Sequence, residues 1–167
     1  MIKNSEQIAV DATDLLILDQ LQKDASITNQ MLAELVFTSP PTCLRRVKRL
    51  KDTGLIERQI AILSVDKVAP LIGHGLTAIV EITLDRQDTQ SLESFEKRVS
   101  GDDAVQQCYR VSPGPDFVLI VFAHDMPAYL ALSQRLFSAD ANVRNVKAFF
   151  SVKRGKFEPG MALGVKN

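Results

Sequence analysis

One short segment of the chain carries most of the side chains that could bind a polyanion. Five basic residues fall within residues 45–51, and a sixth follows the glycine at position 54; they are Arg45, Arg46, Lys48, Arg49, Lys51 and Arg58. A guanidinium group pairs with phosphate and can donate two hydrogen bonds to O6 and N7 of guanine. The segment therefore has the chemistry of a nucleic-acid-binding surface.

The rest of the chain does not share this bias. The 20 Lys and Arg residues balance 20 Asp and Glu residues, so the formal net charge of the 167-residue chain is zero. Affinity for a polyanion must then come from local clustering rather than from the overall field. Hydrophobic residues make up 46% of the chain, which is enough to build a core.

The basic segment has the pattern of an amphipathic helix. At about 100° per residue, the apolar arc contains Cys43, Leu44, Val47 and Leu50. The opposite arc contains Thr42, Arg45, Arg46 and Arg49, and Lys48 flanks it. Ser39 is expected to be the N-cap and Pro40 the first helical residue. The alternative is that the basic face is only solvent-exposed and binds nothing, and the helical wheel alone does not exclude it.

Two shorter helices are predicted before the basic one. The first starts at a Thr13 or Asp14 cap and the second at Thr28. Their inward residues are expected to be Leu15, Leu18 and Leu21 in the first helix and Leu32, Leu35 and Val36 in the second. The four-residue turn FTSP then leads into the basic helix, which is the order of a helix-turn-helix whose second helix enters the major groove. Thr42, Arg45 and Arg46 are expected to contact base edges of the DNA, and Arg49 and Lys51 are expected to contact phosphates. Arg58 lies in an extended piece and is expected to contact the neighbouring DNA backbone like a wing.

The second half of the chain predicts a different architecture. Strands are expected at about 76–84, 105–112, 116–124 and 143–153, and helices at about 89–100 and 126–138. This βαββαβ order is the ferredoxin-like motif. The predicted class is α+β, with a winged helix-turn-helix domain at 1–63, a linker at 64–75 and a βαββαβ domain at 76–167.

The third predicted strand, DFVLIVFA, is apolar on both faces. Phe117, Leu119 and Val121 point to one face, and Val118, Ile120 and Phe122 point to the other. Because two helices cover only one face of a four-stranded sheet, one of these apolar sets would face water. A partner sheet from a second subunit resolves this, and the pattern predicts a homodimer.

The residues quoted so far resemble a known family. LDQLQKDASIT, TSPPTCLRRVKRLKDTGLI, VEITLD, DFVLIV and DMPAYLAL occur in the order and spacing of the Lrp/AsnC, or feast/famine, transcription regulators. The resemblance covers about 14–156. Its most specific part is S-P-x-x-C-x-x-R-[VI]-x-x-L, met by Ser39, Pro40, Cys43, Arg46, Val47 and Leu50. It implies a double-stranded-DNA-binding regulator that dimerises through its sheets, stacks into octamers and senses a small amino-acid-type effector.

The resemblance also implies site residues. Together with the helical-wheel pattern, the resemblance predicts DNA contacts from Ser39, Thr42, Cys43, Arg45, Arg46, Lys48, Arg49 and Arg58. It implies an effector pocket at a subunit interface, with contacts from Ser112, Gly114, Asp116 and Met126. Asp116 would either pair with the ammonium group of an amino acid or only close its own turn through backbone hydrogen bonds. Met126 would either line the pocket or only pack in the core at the start of its helix.

Two positions depart from the family pattern. Phe37 and Thr38 occupy the turn where the family has glycine. In the effector loop, Pro113 aligns with the family glycine, and Gly114 comes one place later. Because proline has no N–H for a ligand carboxylate, the sequence leaves open whether the effector is unusual or absent.

Other chemistry has little support. His74 and His124 have no metal-ligand spacing with Cys43 or Cys108, and the sequence has no GxGxxG, so neither a metal nor a cofactor is expected. Two scattered cysteines, no signal-peptide pattern and no long apolar run predict a cytoplasmic protein without a membrane partner. The alternatives are a tetrapyrrole enzyme resembling siroheme decarboxylases, using His124 and Arg110, and an effector-independent DNA-compacting protein.

Overall fold

The computed structural model describes residues 9–73 and 75–164. The chain divides into two compact units. The first contains the described residues up to Ile62 together with 157–164, and the second contains 63–156. The C-terminal segment, predicted as part of the second domain, thus clusters with the first unit, where the Gln22 side-chain amide donates to the Met161 carbonyl oxygen at 2.8 Å.

Three helices build the first unit. They are α1 (Ala12–Lys23), α2 (Asn29–Leu35) and α3 (Pro40–Asp52). Asp11 caps α1, rather than Thr13 or Asp14 as the sequence suggested, because its carboxylate accepts from the Asp14 amide while Asp14 accepts from the Asp11 amide. Thr28 and Ser39 occupy the predicted cap positions of α2 and α3.

The core of the first unit lies between these helices. Its fully or nearly fully buried side chains are Ile17, Leu32, Ala33, Val36, Cys43 and Leu50. Leu35 and Leu44 were expected in this core, but 49% and 60% of their surfaces are exposed. Both predictions were wrong because the buried arc of each helix is rotated away from them.

The turn between α2 and α3 has an unusual backbone. Phe37 adopts a φ of +54°, in the left-handed region that favours glycine, and its side chain is 92% exposed. The turn thus keeps the backbone conformation that glycine would adopt easily, although this chain places a phenylalanine there. After α3, the described residues 55–64 contain no strand, so the extended piece around Arg58 does not pair as a wing.

The second unit begins with a helix that the sequence did not predict. Helix α4 (Val65–Ile72) lies in the predicted linker. The βαββαβ order follows as β1 (Leu76–Leu84), α5 (Thr89–Ser100), β2 (Val105–Arg110), β3 (Phe117–Ala123), α6 (Met126–Ser133) and β4 (Val143–Phe150). Helix α6 continues as a π-helical turn, Gln134–Ser138, and β4 ends three residues earlier than predicted.

The sheet has the order β2-β3-β1-β4, with all neighbours antiparallel. One face packs against the helices and buries alternate residues of the two central strands, such as Val80 and Leu119, with Phe95 and Phe137 from the helical side. The ferredoxin-like prediction is therefore confirmed, and this unit has its own core.

The other sheet face is apolar at its centre. Cross-strand pairs place Ile79 opposite both Ile120 and Phe149, and they place Val118 opposite Tyr109. These residues are partly or well exposed. The described residues thus leave uncovered the sheet face that the sequence analysis assigned to a partner subunit.

Candidate nucleic-acid interface and loop site

The start of α3 presents polar side chains on its outward face. The Ser39 hydroxyl donates to the Thr42 hydroxyl oxygen at 2.8 Å, instead of capping the helix. The Asn29 amide donates to the Pro40 carbonyl oxygen at 2.8 Å and ties the start of α2 to the start of α3. Arg45 and Lys48 are exposed on the same helix. The exposed Arg45 and Lys48 side chains can donate hydrogen bonds to an approaching polyanion.

Two of the predicted DNA-reading arginines point elsewhere. The Arg46 guanidinium lies 2.7 Å from a carboxylate oxygen of Asp11 and 2.9 Å from one of Asp14. Arg49 lies 2.5 Å from the other Asp14 oxygen, and it also donates to the Ala9 carbonyl oxygen at 2.9 Å. Both side chains are thus paired with the acidic N-terminus of α1. The prediction that Arg46 reaches base edges does not match this geometry.

A small rotation of the buried arc of α3 explains why Arg46 lies beside α1 and not on the outward face that the sequence predicted. The sequence placed Leu44 in the apolar arc, but the buried residues are Cys43 and Leu50, with Val47 packed beside them. Centring the arc on Cys43 turns Leu44 toward solvent and brings Arg46 to the edge of the core, beside α1. Cys43 is fully buried, as its place in the apolar arc indicated, so its side chain lies in the core and not on the surface predicted to contact DNA.

Asp14 is the only charged residue buried in the described part of the chain, with no exposed surface. Burial raises the pKa of its carboxyl group, but hydrogen bonds from the Asp11 amide, Arg49 and Arg46 outweigh burial and hold the pKa below its ordinary value. The carboxylate stays ionised because its oxygens accept from both arginines and from a backbone amide. The sequence signal for this cluster was the D-x-x-D pattern of Asp11 and Asp14, which can also be read as a helix cap alone.

A cleft of about 420 Å³ lies beside this cluster. Its walls are formed by Ala9, Val10, Asp11, Asp14, Arg45, Arg46 and Arg49. Within the described residues, Arg45 has no acidic partner at ion-pair distance. Arg45 is therefore the guanidinium in this cleft that remains available to a ligand.

The loop before β3 contains the predicted effector residues. The Asp116 carboxylate accepts from the Leu84 amide at 2.7 Å, while the Asp116 amide donates to the Ile82 carbonyl oxygen at 2.8 Å. Asp116 therefore braces the loop against β1. Ser112 and Gly114 are exposed, and the φ of Gly114 is +124°.

Met126 lies far from that loop within one chain. It is the first residue of α6 and is 42% exposed. Asp116 precedes β3 and Met126 follows it, and the seven residues of this strand span about 23 Å at 3.3 Å per residue. One subunit does not bring these two predicted effector residues together, so a shared pocket requires a second subunit.

The residues of the enzyme alternative are also separated. Arg110 pairs with Glu96 at 2.7 Å and lies over the Phe117 ring, opposite the start of β3. His124 follows the end of β3 and is exposed. Among the described residues, no group of three His, Cys, Asp or Glu side chains could hold a metal ion, and no helix is long and apolar enough to cross a membrane.

Both units match known protein-family models. Residues 10–57 match a winged helix-turn-helix DNA-binding model, and residues 77–161 match the Lrp/AsnC ligand binding domain. The chain belongs to the Lrp/AsnC family. It is a DNA-binding transcriptional regulator, and the prediction of a regulator rather than an enzyme is confirmed by its relatives.

Relatives of this Lrp/AsnC regulator resemble it along nearly its whole length. A helix-turn-helix-type transcriptional regulator of Haemophilus influenzae is 33% identical over 97% of this chain and 94% of the relative. The leucine-responsive regulatory protein of Rhizobium meliloti is 32% identical over 90% and 94%, respectively.

Solved structures show the same architecture. An AsnC family regulator from Agrobacterium tumefaciens has a TM-score of 0.78 and 30% identity, with 93% of this chain and 98% of that chain covered. A transcriptional regulator of Neisseria meningitidis in complex with L-methionine has a TM-score of 0.77 and 30% identity, with coverage of 93% and 97%.

Acid is expected to weaken the contact between α1 and α3. Because the pKa of Asp14 is lower in the folded state, its stabilising effect is complete above its unfolded pKa of about 3.9 and is lost as the pH falls through the folded value. At pH 7, Asp14→Asn should lower the free energy of unfolding by about 1–3 kcal/mol. The difference from the wild type should shrink below about pH 4.

Hydrogen exchange of the α1 amides as a function of pH measures this effect. The exposed Glu57→Gln variant is the control for loss of one negative charge. A difference between wild type and Asp14→Asn that stays constant from pH 7 to pH 3 would contradict the assignment.

Proposed function

We propose that this Lrp/AsnC regulator binds specific DNA sequences through the exposed face of α3, as a homo-oligomer whose DNA affinity is changed by a small amino-acid-type effector. The observation that carries the proposal is the outward face of α3, where Arg45 and Lys48 are exposed beside the polar pair Ser39 and Thr42. Residues near the start of a recognition helix contact base edges in the major groove. Because chromosomal DNA is its proposed partner, we place the protein in the cytoplasm.

The proposed base contacts come from the residues that the fold leaves available. Arg45 suits a guanine edge because its guanidinium can donate to O6 and N7. Ser39 and Thr42 suit phosphate or base acceptors, and Lys48 suits phosphate. Arg58 is exposed after α3 and is proposed to contact the neighbouring backbone without a paired wing strand.

Homo-oligomers are proposed from the uncovered sheet face. Ile79, Val118, Ile120 and Phe149 form a contiguous apolar centre on the face opposite the helices. Packing two such sheets together removes this surface from water. The same pairing gives a dimer with two α3 helices and a roughly palindromic DNA site, and stacking of dimers into octamers is the family arrangement that we extend to this chain.

The effector proposal rests on Asp116 and on the similarity to a regulator solved with L-methionine. One Asp116 oxygen braces β1, and the other has no hydrogen-bond partner among the described residues. That oxygen can meet an ammonium group. Since Met126 lies at the far end of β3, its proposed role requires the Asp116 loop of a second subunit.

A DNA-compacting protein without sequence preference is the competing function. It is favoured by the absence of a strand among residues 55–64, which leaves α3 as the main reading element in the described part of the first unit. Binding that depends on phosphate alone would be lost under competition from unrelated DNA and would show a steep dependence on salt.

The DNA proposal predicts a specific loss when Arg45 is removed. Arg45→Ala should weaken binding to DNA from upstream of its own gene by about tenfold or more, because one bidentate base contact is worth about 1–3 kcal/mol. Binding should be measured near 0.15 M salt with excess unrelated DNA. Lys97→Ala, an exposed lysine of α5, is the control. Equal affinities for the wild type and Arg45→Ala would contradict the proposed role of α3.

The effector proposal predicts that the charge of Asp116 matters more than its shape. An asparagine at this position can still accept from the Leu84 amide, but it cannot pair with an ammonium group. A panel of amino acids including L-methionine should contain one that shifts the DNA-binding curve of the wild type, and Asp116→Asn should raise the required concentration at least about tenfold. An unchanged response in a variant of wild-type thermal stability would contradict the role of Asp116.

A further inference from the structure

Three guanidinium groups line the cleft beside α3, but their surroundings differ. Arg46 and Arg49 each lie within 2.9 Å of an α1 carboxylate oxygen, whereas Arg45 has no acidic partner among the described residues. The proposed DNA-binding helix therefore carries an available arginine, Arg45, directly beside two neutralised ones. The neutralising acids come from another helix, so their positions do not depend on α3.

We propose that Asp11 and Asp14 act as internal counter-ions that withhold Arg46 and Arg49 from DNA phosphates, which makes Asp14 a specificity-determining positioning residue. This inference rests on the proposed function of α3 in reading DNA. It assigns the acids of α1 a role beyond capping their own helix.

The Asp14 carboxylate is held too firmly to move aside easily. The Asp14 amide donates to an Asp11 oxygen at 2.9 Å, and the Asp11 amide donates to an Asp14 oxygen at 3.1 Å. Asp14 is fully buried. A phosphate that captured Arg46 or Arg49 would leave this buried carboxylate with fewer partners, which costs several kcal/mol when all partners are lost. Asp14 therefore competes effectively with DNA for the two arginines, and the half-exposed Asp11 adds a weaker contact to Arg46.

Withholding two arginines changes the kind of affinity that α3 provides. A guanidinium near the DNA backbone binds phosphate at any sequence and releases counterions, so each such contact adds about −0.9 to the slope of log K against log salt. Two freed arginines would strengthen binding to every DNA equally. Neutralising them leaves a larger share of the affinity to Arg45 and its polar neighbours, which can contact bases.

The geometry does not suggest a contact optimised for stability alone. Arg46 Nε is buried without a hydrogen-bond partner among the described residues, and Arg49 remains partly exposed at the cleft. Buried ion pairs are weak stabilisers compared with apolar residues of similar volume. An arrangement that keeps both arginines beside the DNA-facing surface while pairing them fits a control of DNA contacts.

The test measures the salt dependence of binding to upstream DNA and to unrelated duplex for the full-length wild type and its variants. Asp14→Asn should steepen the slope on unrelated duplex by about 1–2, raise affinity for that duplex about tenfold near 0.1 M salt, and reduce the ratio of specific to non-specific affinity by a similar factor. Asp11→Asn should have a smaller effect of the same sign, because it releases one contact of Arg46 and asparagine remains a good N-cap. Asp19→Asn is the control, since it removes the same charge from α1 at a residue paired with Lys23.

The outcomes separate this inference from the proposed function. Folded Asp14→Asn and Asp11→Asn proteins with the wild-type slope on unrelated duplex would overturn the inference. If Asp14→Asn does not fold, Asp11→Asn alone decides it. A slope increase that disappears in Asp14→Asn/Arg49→Gln would support it further. A wild type that does not distinguish upstream DNA from unrelated DNA would overturn the proposed function, while the slopes on unrelated duplex would still decide the inference.

Discussion

The buried carboxylate of Asp14 determines how α3 is presented to solvent. It accepts hydrogen bonds from Arg46 and Arg49 and from the backbone at the start of α1. A lone buried charge is costly, so the first unit is more stable when the two arginines remain near this carboxylate. Together with the buried Cys43 and Leu50, this contact fixes the orientation of α3 about its own axis and decides which basic side chains remain on the outward face.

In the second unit, the constraint is that the helices cover only one face of the sheet. The helices bury one face around residues such as Phe95, Phe117 and Leu119. The opposite face keeps an apolar centre that residues 9–73 and 75–164 of one chain do not cover. Oligomerisation, paired DNA-reading heads and a pocket shared between subunits would all follow from covering that face with a second copy. Asp116 and Met126 lie at opposite ends of β3, so a pocket that contains both also requires a second subunit.

The architecture was largely predictable, because hydrophobic period and cap residues act locally. The βαββαβ order, the Ser39 and Thr28 caps and the basic amphipathic helix all follow from such signals. The contacts of the candidate site were less predictable, since they join residues more than 30 positions apart, as in the pairing of Arg46 with Asp14. The wheel could not show whether Leu44 or Arg46 faces α1, and a shift of tens of degrees changed the expected role of both. Helix α4 was missed because Pro70 and the neighbouring glycines are typical of a linker.

The most direct measurement is a crystal structure of the full chain bound to DNA from upstream of its own gene. We predict that Arg46 and Arg49 stay within hydrogen-bond distance, about 3.2 Å or less, of the Asp11 and Asp14 carboxylates. We also predict that Arg45 contacts a base edge in the major groove. A complex in which Arg46 or Arg49 leaves Asp14 to bind a base or a phosphate, with Arg45 pointing away from the DNA, would contradict the proposed roles of these residues.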